Sequence, residues 1–254
     1  MSIYDLVQEY NDGGPDKSGG FVADTISIDE EDANILVNLI SDNVELKQMV
    51  LYRNSMSLVS LRILVEGLKR NTTLEKLNVM YNPVADQGCK IFSSLLSSNM
   101  TLTVLNLYYC SISDEGMQFL CEGLIRNYSL QYLHLHYNEI GDQGAISFAA
   151  VLAASYSLKY VNLEHNRIGS QGGTALLNAI ERNDLNDLEE FKVANNSIPS
   201  ATQVQIASNL SKIRNQKAME EFFNTLESDE TEYWNRSRLM FVGQGAAGKT
   251  STVR

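Results

Sequence analysis

The sequence predicts an α/β solenoid, with parallel strands lining one face, helices packed on the other, and one continuous core between them. Three observations lead there. A fixed period, the spacing from Leu46 to Leu74, runs through most of the chain, so one strand-plus-helix unit is repeated along it. Each period holds an apolar–x–apolar alternation, the mark of a short strand with one buried face, and then apolar positions three and four apart, the inner stripe of a helix. The 254 residues are 44% hydrophobic and 20% charged with only three prolines. That composition excludes a disordered or low-complexity chain.

The strand of each unit is carried by the phrase L-x-x-L-x-L-x-x-N. It begins at Leu46, Leu74, Leu102, Leu130 and Leu158, and a sixth copy begins at Leu188 after two extra residues placed in the turn around 183–187. Ten residues on stand Met56, Val84, Ile112, Ile140, Ile168 and Ile198; the helix stripe follows at Leu64, Phe92, Leu120, Phe148, Leu176 and Ile206. The asparagines Asn54, Asn82, Asn138, Asn166 and Asn196 are expected to form a ladder that satisfies backbone groups where the chain leaves the strand, with Cys110 replacing one of them. Asp86, Asp114, Asp142 and Ser170, each two residues before a glycine, are expected as helix N-caps. A degenerate first unit is placed by stepping back one period from Leu46, onto Phe21, Ala23, Ile28, Leu36 and Ile40. The pattern identifies a leucine-rich-repeat array. Its unit length and D-x-G helix start resemble the ribonuclease-inhibitor-like subclass, which implies a right-handed horseshoe arc with parallel concave strands and convex helices over residues 18–212.

Charge is unevenly spread. Residues 1–45 hold eleven acids and one base, so nearly all of the net −11 sits in that stretch. Residues 1–17 are expected to be a solvated acidic leader. No basic footprint for nucleic acid is present, and anionic lipid is disfavoured. No apolar run approaches the roughly 18 residues that would suggest a membrane span. The acidic start is unlike a secretory leader. The three cysteines are an odd number without metal-site spacing, which points to a reducing, cytoplasmic setting.

The period also absorbs several motifs. Asn71, Asn99 and Asn127 match the glycosylation pattern but recur at the repeat period, as expected of a left-handed residue ending each helix. Asn195 and Asn235 match the pattern too. The variable strand positions gather Tyr52, Tyr81, Tyr108, Tyr109, Tyr132, His134, His136, Tyr137 and Tyr160 on one exposed sheet. Tyrosine and histidine offer apolar bodies with polar tips, so these residues are the candidate concave surface for a protein partner. A metal site on His134, His136 and Glu164 is the competing assignment and would need a complete ligand set. No Ser/His/Asp or Cys/His catalytic constellation emerges.

Beyond the array, Met219, Phe222, Phe223 and Leu226 lie on one helix face, so residues 213–227 are expected to cap the open core. A polar linker over 228–237 follows. Arg238–Val242 is a short apolar run leading into GQGAAGKTS, which matches the phosphate-loop pattern G-x-x-x-x-G-K-T over 243–250. In such a loop, glycines let backbone N–H groups curl around phosphates, the lysine reaches the β and γ oxygens, and the threonine ligates Mg²⁺. Residues 238–254 are therefore read as the first strand and phosphate loop of a truncated nucleotide-binding domain, unable to act by itself.

Repeats followed by RLMFVGQGAAGKTS resemble the ROCO family of leucine-rich-repeat GTPases. The resemblance implies nucleotide binding by Gly243, Gly245, Gly248, Lys249, Thr250 and Ser251, with Thr250 on Mg²⁺, in an intact protein that takes GTP and Mg²⁺; the chain as it stands implies no cofactor. The expected function is the protein-interaction domain of a regulatory GTP-binding protein, and the alternative is a stand-alone repeat scaffold binding a partner on its concave face. A GTPase-activating repeat protein is a third reading.

Overall fold

Among the described residues, seven parallel strands form one sheet in sequence order, each joined to the next through a helix. The computed structural model describes residues 2–12, 20–42, 45–182 and 187–228. The strands are β1 (Gly20–Asp24), β2 (Gln48–Tyr52), β3 (Lys76–Asn78), β4 (Val104–Asn106), β5 (Tyr132–His134), β6 (Tyr160–Asn162) and β7 (Glu190–Lys192). The helices are α1 (Ile3–Asn11), α2 (Glu30–Asp42), α3 (Leu58–Leu68), α4 (Ala85–Leu96), α5 (Asp114–Leu124), α6 (Asp142–Ala154), α7 (Ser170–Arg182) and α8 (Ser200–Ser228). Strand register follows the sequence period: Leu77 pairs with Leu105 and Leu105 with Leu133, while Val161 pairs with Phe191 across the longer unit.

The alternation works as the strand pattern requires. In β5, Leu133 is buried while Tyr132 and His134 face outward. Leu77, Leu105, Leu133 and Val161 form a buried column against Leu64, Phe92, Leu120, Phe148 and Leu176 from the helices. Each such side chain contributes about 1.5–3 kcal/mol by leaving water. The degenerate first unit is part of the stack, with Phe21, Ala23, Ile28, Leu36 and Ile40 all buried and β1 paired to β2.

The chain divides into two compact units, Met1–Ile213 and Arg214–Arg254. Residues 213–227, the stretch expected to cap the array, fall within α8, the same helix that serves the last repeat. Apart from Ser228, the expected linker and the phosphate-loop segment lie outside the described residues, and so do the nucleotide-binding candidates Gly243, Gly245, Gly248, Lys249, Thr250 and Ser251.

Part of the expected acidic leader is folded. α1 opens with a reciprocal capping box between Ser2 and Asp5, and buries Ile3 and Val7 one turn apart. Tyr10 meets Phe21 edge-on at 6.0 Å. A short helix can hold because its apolar face closes the first repeat's core, despite its acidic composition.

The asparagine ladder joins neighbouring repeats. Asn138 donates to Leu107 O and Leu135 O, each at 2.9 Å, and accepts from Cys110 N and Ile112 N, each at 3.0 Å. Asn54, Asn166 and Asn196 repeat the pattern. Cys110 breaks it. Its thiol lies 3.4 and 3.5 Å from Val79 O and Tyr108 O, and its sulfur is a weaker acceptor than an amide oxygen. Val84 N turns instead to Asn82 O, Ala85 N bonds Cys110 O, and Ala85 takes a φ of 49°.

Two expectations about helix ends are corrected. Asp86, Asp114 and Asp142 do not cap their own helices; each reaches forward to the next one. Asp114 accepts from Gly141 N at 2.6 Å and Gly144 N at 2.8 Å, Asp142 from Gly169 N and Gly172 N, and Asp86 from Ser113 N and Gly116 N. The carboxylates sit in the first helical turn, where stacking places the next helix's unpaired N–H groups within reach. Ser170, the fourth expected cap, is the first residue of α7. The helix-ending asparagines are not left-handed either. Asn99 and Asn127 are buried and form a second ladder, donating to Leu68 O and Leu96 O of the preceding repeat while accepting from Leu102 N and Leu130 N.

A column of left-handed residues lies one position before the ladder column: Thr25, Arg53, Tyr81, Tyr109, Tyr137, His165 and Asn195, with φ between 53° and 57°; Ala85 and Ser111, outside that column, are left-handed too. Each costs about 1–2 kcal/mol. The conformation persists because the N–H continues the parallel ladder, as when Tyr109 N donates to His136 O and Tyr137 N to Glu164 O.

Candidate functional site

The turn after each strand fixes the outer face of the sheet. Because the left-handed residue and its predecessor leave the strand in the same geometry in every repeat, the side chains at 52, 80, 108, 136 and 164 form one column and those at 53, 81, 109, 137 and 165 another. The second column is only partly covered by the sequence-predicted set: one repeat before Tyr81 stands Arg53, and one repeat after Tyr137 stands His165.

All nine residues assigned to the strand face from sequence lie there, and their rings form one connected cluster. Tyr81 meets Tyr52 at 5.3 Å, Tyr108 at 4.8 Å and Tyr109 at 5.0 Å between ring centres. Tyr108 stacks on His136 at 4.2 Å, and Tyr137 on His165 at 3.9 Å. A second group, Tyr132, Tyr160 and His134, joins through the His134–His136 contact at 6.0 Å. Cations of the chain lie on both ends. Arg53 sits over Tyr52 at 4.6 Å and over Tyr81 at 5.2 Å, and Lys192 over Tyr160 at 5.3 Å. Neither cation stands out in the sequence, because neither is aromatic and the columns are recognised by their rings.

The electrostatics favour a neutral stripe. Burial, reinforced by His136 and Lys192, pulls the His134 pKa down to about 4. Burial also lowers that of His136 against the opposing pull of Glu164. Both rings are neutral near pH 7, and His136 Nδ1 is buried with no hydrogen-bond partner among the described residues. The hydroxyls of Tyr81 and Tyr108 are 2.8 Å apart, and that bond holds the Tyr108 pKa up at about 12. Tyr109 is 54% exposed and Tyr137 42%, so a partner can reach them. Among the described residues, no group of three His, Cys, Asp or Glu side chains is arranged to hold a metal ion, and no helix is long and apolar enough to cross a membrane. Cys89, Cys110 and Cys121 are buried, and burial raises all three thiol pKa values, to about 12 for Cys110 and Cys121.

The Leucine Rich repeat family profile matches residues 70–92, 98–121, 126–149 and 155–177. These segments coincide with four consecutive helix-bearing units of the parallel stack. Residues 70–177 carry leucine-rich repeats, and the same parallel strand-and-helix stack continues on both sides of them. Among solved structures, the solenoid is similar to the chain titled Leiomodin-1 Actin-Binding Site 2, at 13% identity and a TM-score of 0.50, covering 77% of this chain and 96% of that one. It is also similar to the tropomodulin C-terminal domain of Caenorhabditis elegans, at 15% identity and a TM-score of 0.54, covering 65% and 98%. At these identities the likeness is one of fold. No curated protein matches the chain. The ROCO resemblance rests on residues 238–254, outside the described residues, and these comparisons do not support it.

Proposed function

We propose that this chain is a leucine-rich-repeat scaffold that binds a protein partner across its strand face, through Tyr52, Tyr81, Tyr108, Tyr109, Tyr132, His134, His136, Tyr137 and Tyr160. The carrying observation is the connected ring cluster on the outer face, with Tyr109 and Tyr137 exposed at its centre. Rigid aromatic side chains give a large contact area at low entropic cost and dominate protein interfaces. The leiomodin likeness supports a protein as the class of partner; actin, named in that chain's title, is the first defined candidate to try.

The test places a photo-reactive phenylalanine at Tyr109 and, separately, at Tyr128, which is 70% exposed on the turn between α5 and β5. Crosslinking in the parent cell is expected at 109 and not at 128, competed by excess wild type but not by the Tyr108→Ala/Tyr137→Ala variant. Equal labelling at both positions overturns the proposal.

A second reading rests on the phosphate-loop sequence. In it, Gly243, Gly245, Gly248, Lys249, Thr250 and Ser251 bind GTP and Mg²⁺ within a ROCO-type G domain regulated by the repeats. Titration of the full-length gene product with guanine nucleotides, with and without Mg²⁺, decides it; no heat of binding in either condition removes it.

A further inference from the structure

The centre of the strand face is a three-ring box. Tyr108 stands at 69° to Tyr109, with ring centres 6.1 Å apart, and at 76° to Tyr137, 5.3 Å away. Tyr109 leans toward Tyr81, and Tyr137 stacks on His165. His136 stacks on one face of Tyr108 at 4.2 Å, and among the described residues no ring contact joins Tyr109 to Tyr137.

The chain itself shows what these ring faces accept. Arg53 and Lys192 occupy rings at the two ends of the stripe, whereas no cation among the described residues lies over Tyr108, Tyr109 or Tyr137. The nearby carboxylates point the same way. Glu75 holds Lys47 at 3.1 Å, Glu139 holds Arg167 at 2.9 Å and Glu190 holds Lys192 at 3.2 Å. Glu164 forms no ion pair among the described residues; its carboxylate accepts only from Asn162 at 3.2 Å. It lies in the same column as Tyr108, two strands along, or about 10 Å at normal strand spacing. An extended segment crossing the strands can reach both places with two long basic side chains.

We infer that the Tyr108–Tyr109–Tyr137 box and Glu164 receive the side-chain cations of a basic segment of a protein partner, arginine or lysine. The negative faces of the three rings attract the first cation, and the unpaired carboxylate attracts the second. The inference rests on the strand-face proposal and adds the partner's chemistry.

The probe is a blocked peptide of alternating arginine and glycine, titrated into the full chain by calorimetry, beside the same peptide with glutamate in place of arginine. Binding of the arginine peptide alone is expected. Tyr109→Leu and Tyr137→Leu should each weaken it about fivefold, while Tyr109→Phe and Tyr137→Phe hold it within about twofold, because the ring and not the hydroxyl binds. Glu164→Gln, an exterior change that leaves the core intact, should weaken binding and flatten its salt dependence. Absence of arginine-peptide binding overturns the inference. So does equal binding by the leucine and glutamine variants, which would place the peptide on the acidic N-terminal stretch. If the crosslinker at Tyr109 still captures a partner while the peptide fails to bind, this inference falls and the strand-face proposal stands.

Discussion

Replacing Asn138 with alanine tests what holds one repeat to the next. The side chain is buried and makes four hydrogen bonds of 2.9–3.0 Å, two to carbonyls and two from amides. At about 1 kcal/mol net each, with the partners left in a dry interior, the loss sums to about 3–5 kcal/mol. Whole-domain stabilities of about 5–15 kcal/mol make that a large fraction. Cys110 provides the internal control, because the ladder is already interrupted there. Cys110→Ala removes only long thiol contacts and should cost about 1–2 kcal/mol, mostly in packing. Chemical denaturation with matched m-values measures both, and hydrogen exchange at Cys110 N and Ile112 N should speed up in the Asn138 variant alone. A loss below about 1 kcal/mol for Asn138→Ala would refute the reasoning. It would mean that the backbone re-satisfies itself, as Val84 N does by turning to Asn82 O.

Two further outcomes follow from the inter-repeat contacts and the neutral stripe. A methyl group on Gly144 would meet Asp114 Oδ1 at 2.7 Å and Ile140 Cγ2 at 2.9 Å, so Gly144→Ala should destabilise by about 1–3 kcal/mol in thermal melts, despite alanine's better helix propensity. His134 has a folded pKa of about 4 against 6.5 unfolded, so its contribution is fully present above pH 6.5 and is lost as pH falls through about 4. Allowing for solvent screening of a half-buried ring, that loss is on the order of 1–2 kcal/mol, and denaturation curves of His134→Gln should show correspondingly less acid sensitivity than wild type.

The period makes the buried columns legible, because a one-residue slip would expose every leucine in a strand. It also places the tyrosines on the right face, since variable strand positions have nowhere else to point. Other features are not legible, for separate physical reasons. Asp114 bonds Gly141 and Gly144 of the following repeat, far from it along the chain, so a local reading assigns its carboxylate to the wrong helix. The signals for α1 are present in Ser2, Asp5, Ile3 and Val7, but the acidic surroundings outweigh them. Arg53 and Lys192 stay hidden because the period says which residues are neighbours and not where long flexible side chains settle. The left-handed column carries tyrosine, arginine and threonine where a propensity rule would ask for glycine or asparagine.

That last observation bears on how the face came to be free for binding. A strand end must satisfy its backbone groups, and in most proteins polar side chains on the outer surface share that task. Here the asparagine ladder works from inside the core, Asn78, Asn106 and Asn162 at the strand ends accept from the N–H groups of Met80, Tyr108 and Glu164, and the left-handed residue keeps its N–H in the sheet whatever side chain it bears. The side chains of the two columns beyond the strand are thereby released from hydrogen bonding to the turn's backbone. Within this one chain the column at Tyr52 runs through Met80, Tyr108, His136 and Glu164, and the next through Arg53, Tyr81, Tyr109, Tyr137 and His165, on a nearly constant backbone. Side chains so released can cluster as rings without breaking a hydrogen bond of the turn, and exchanges among non-glycine residues there should change binding far more than stability.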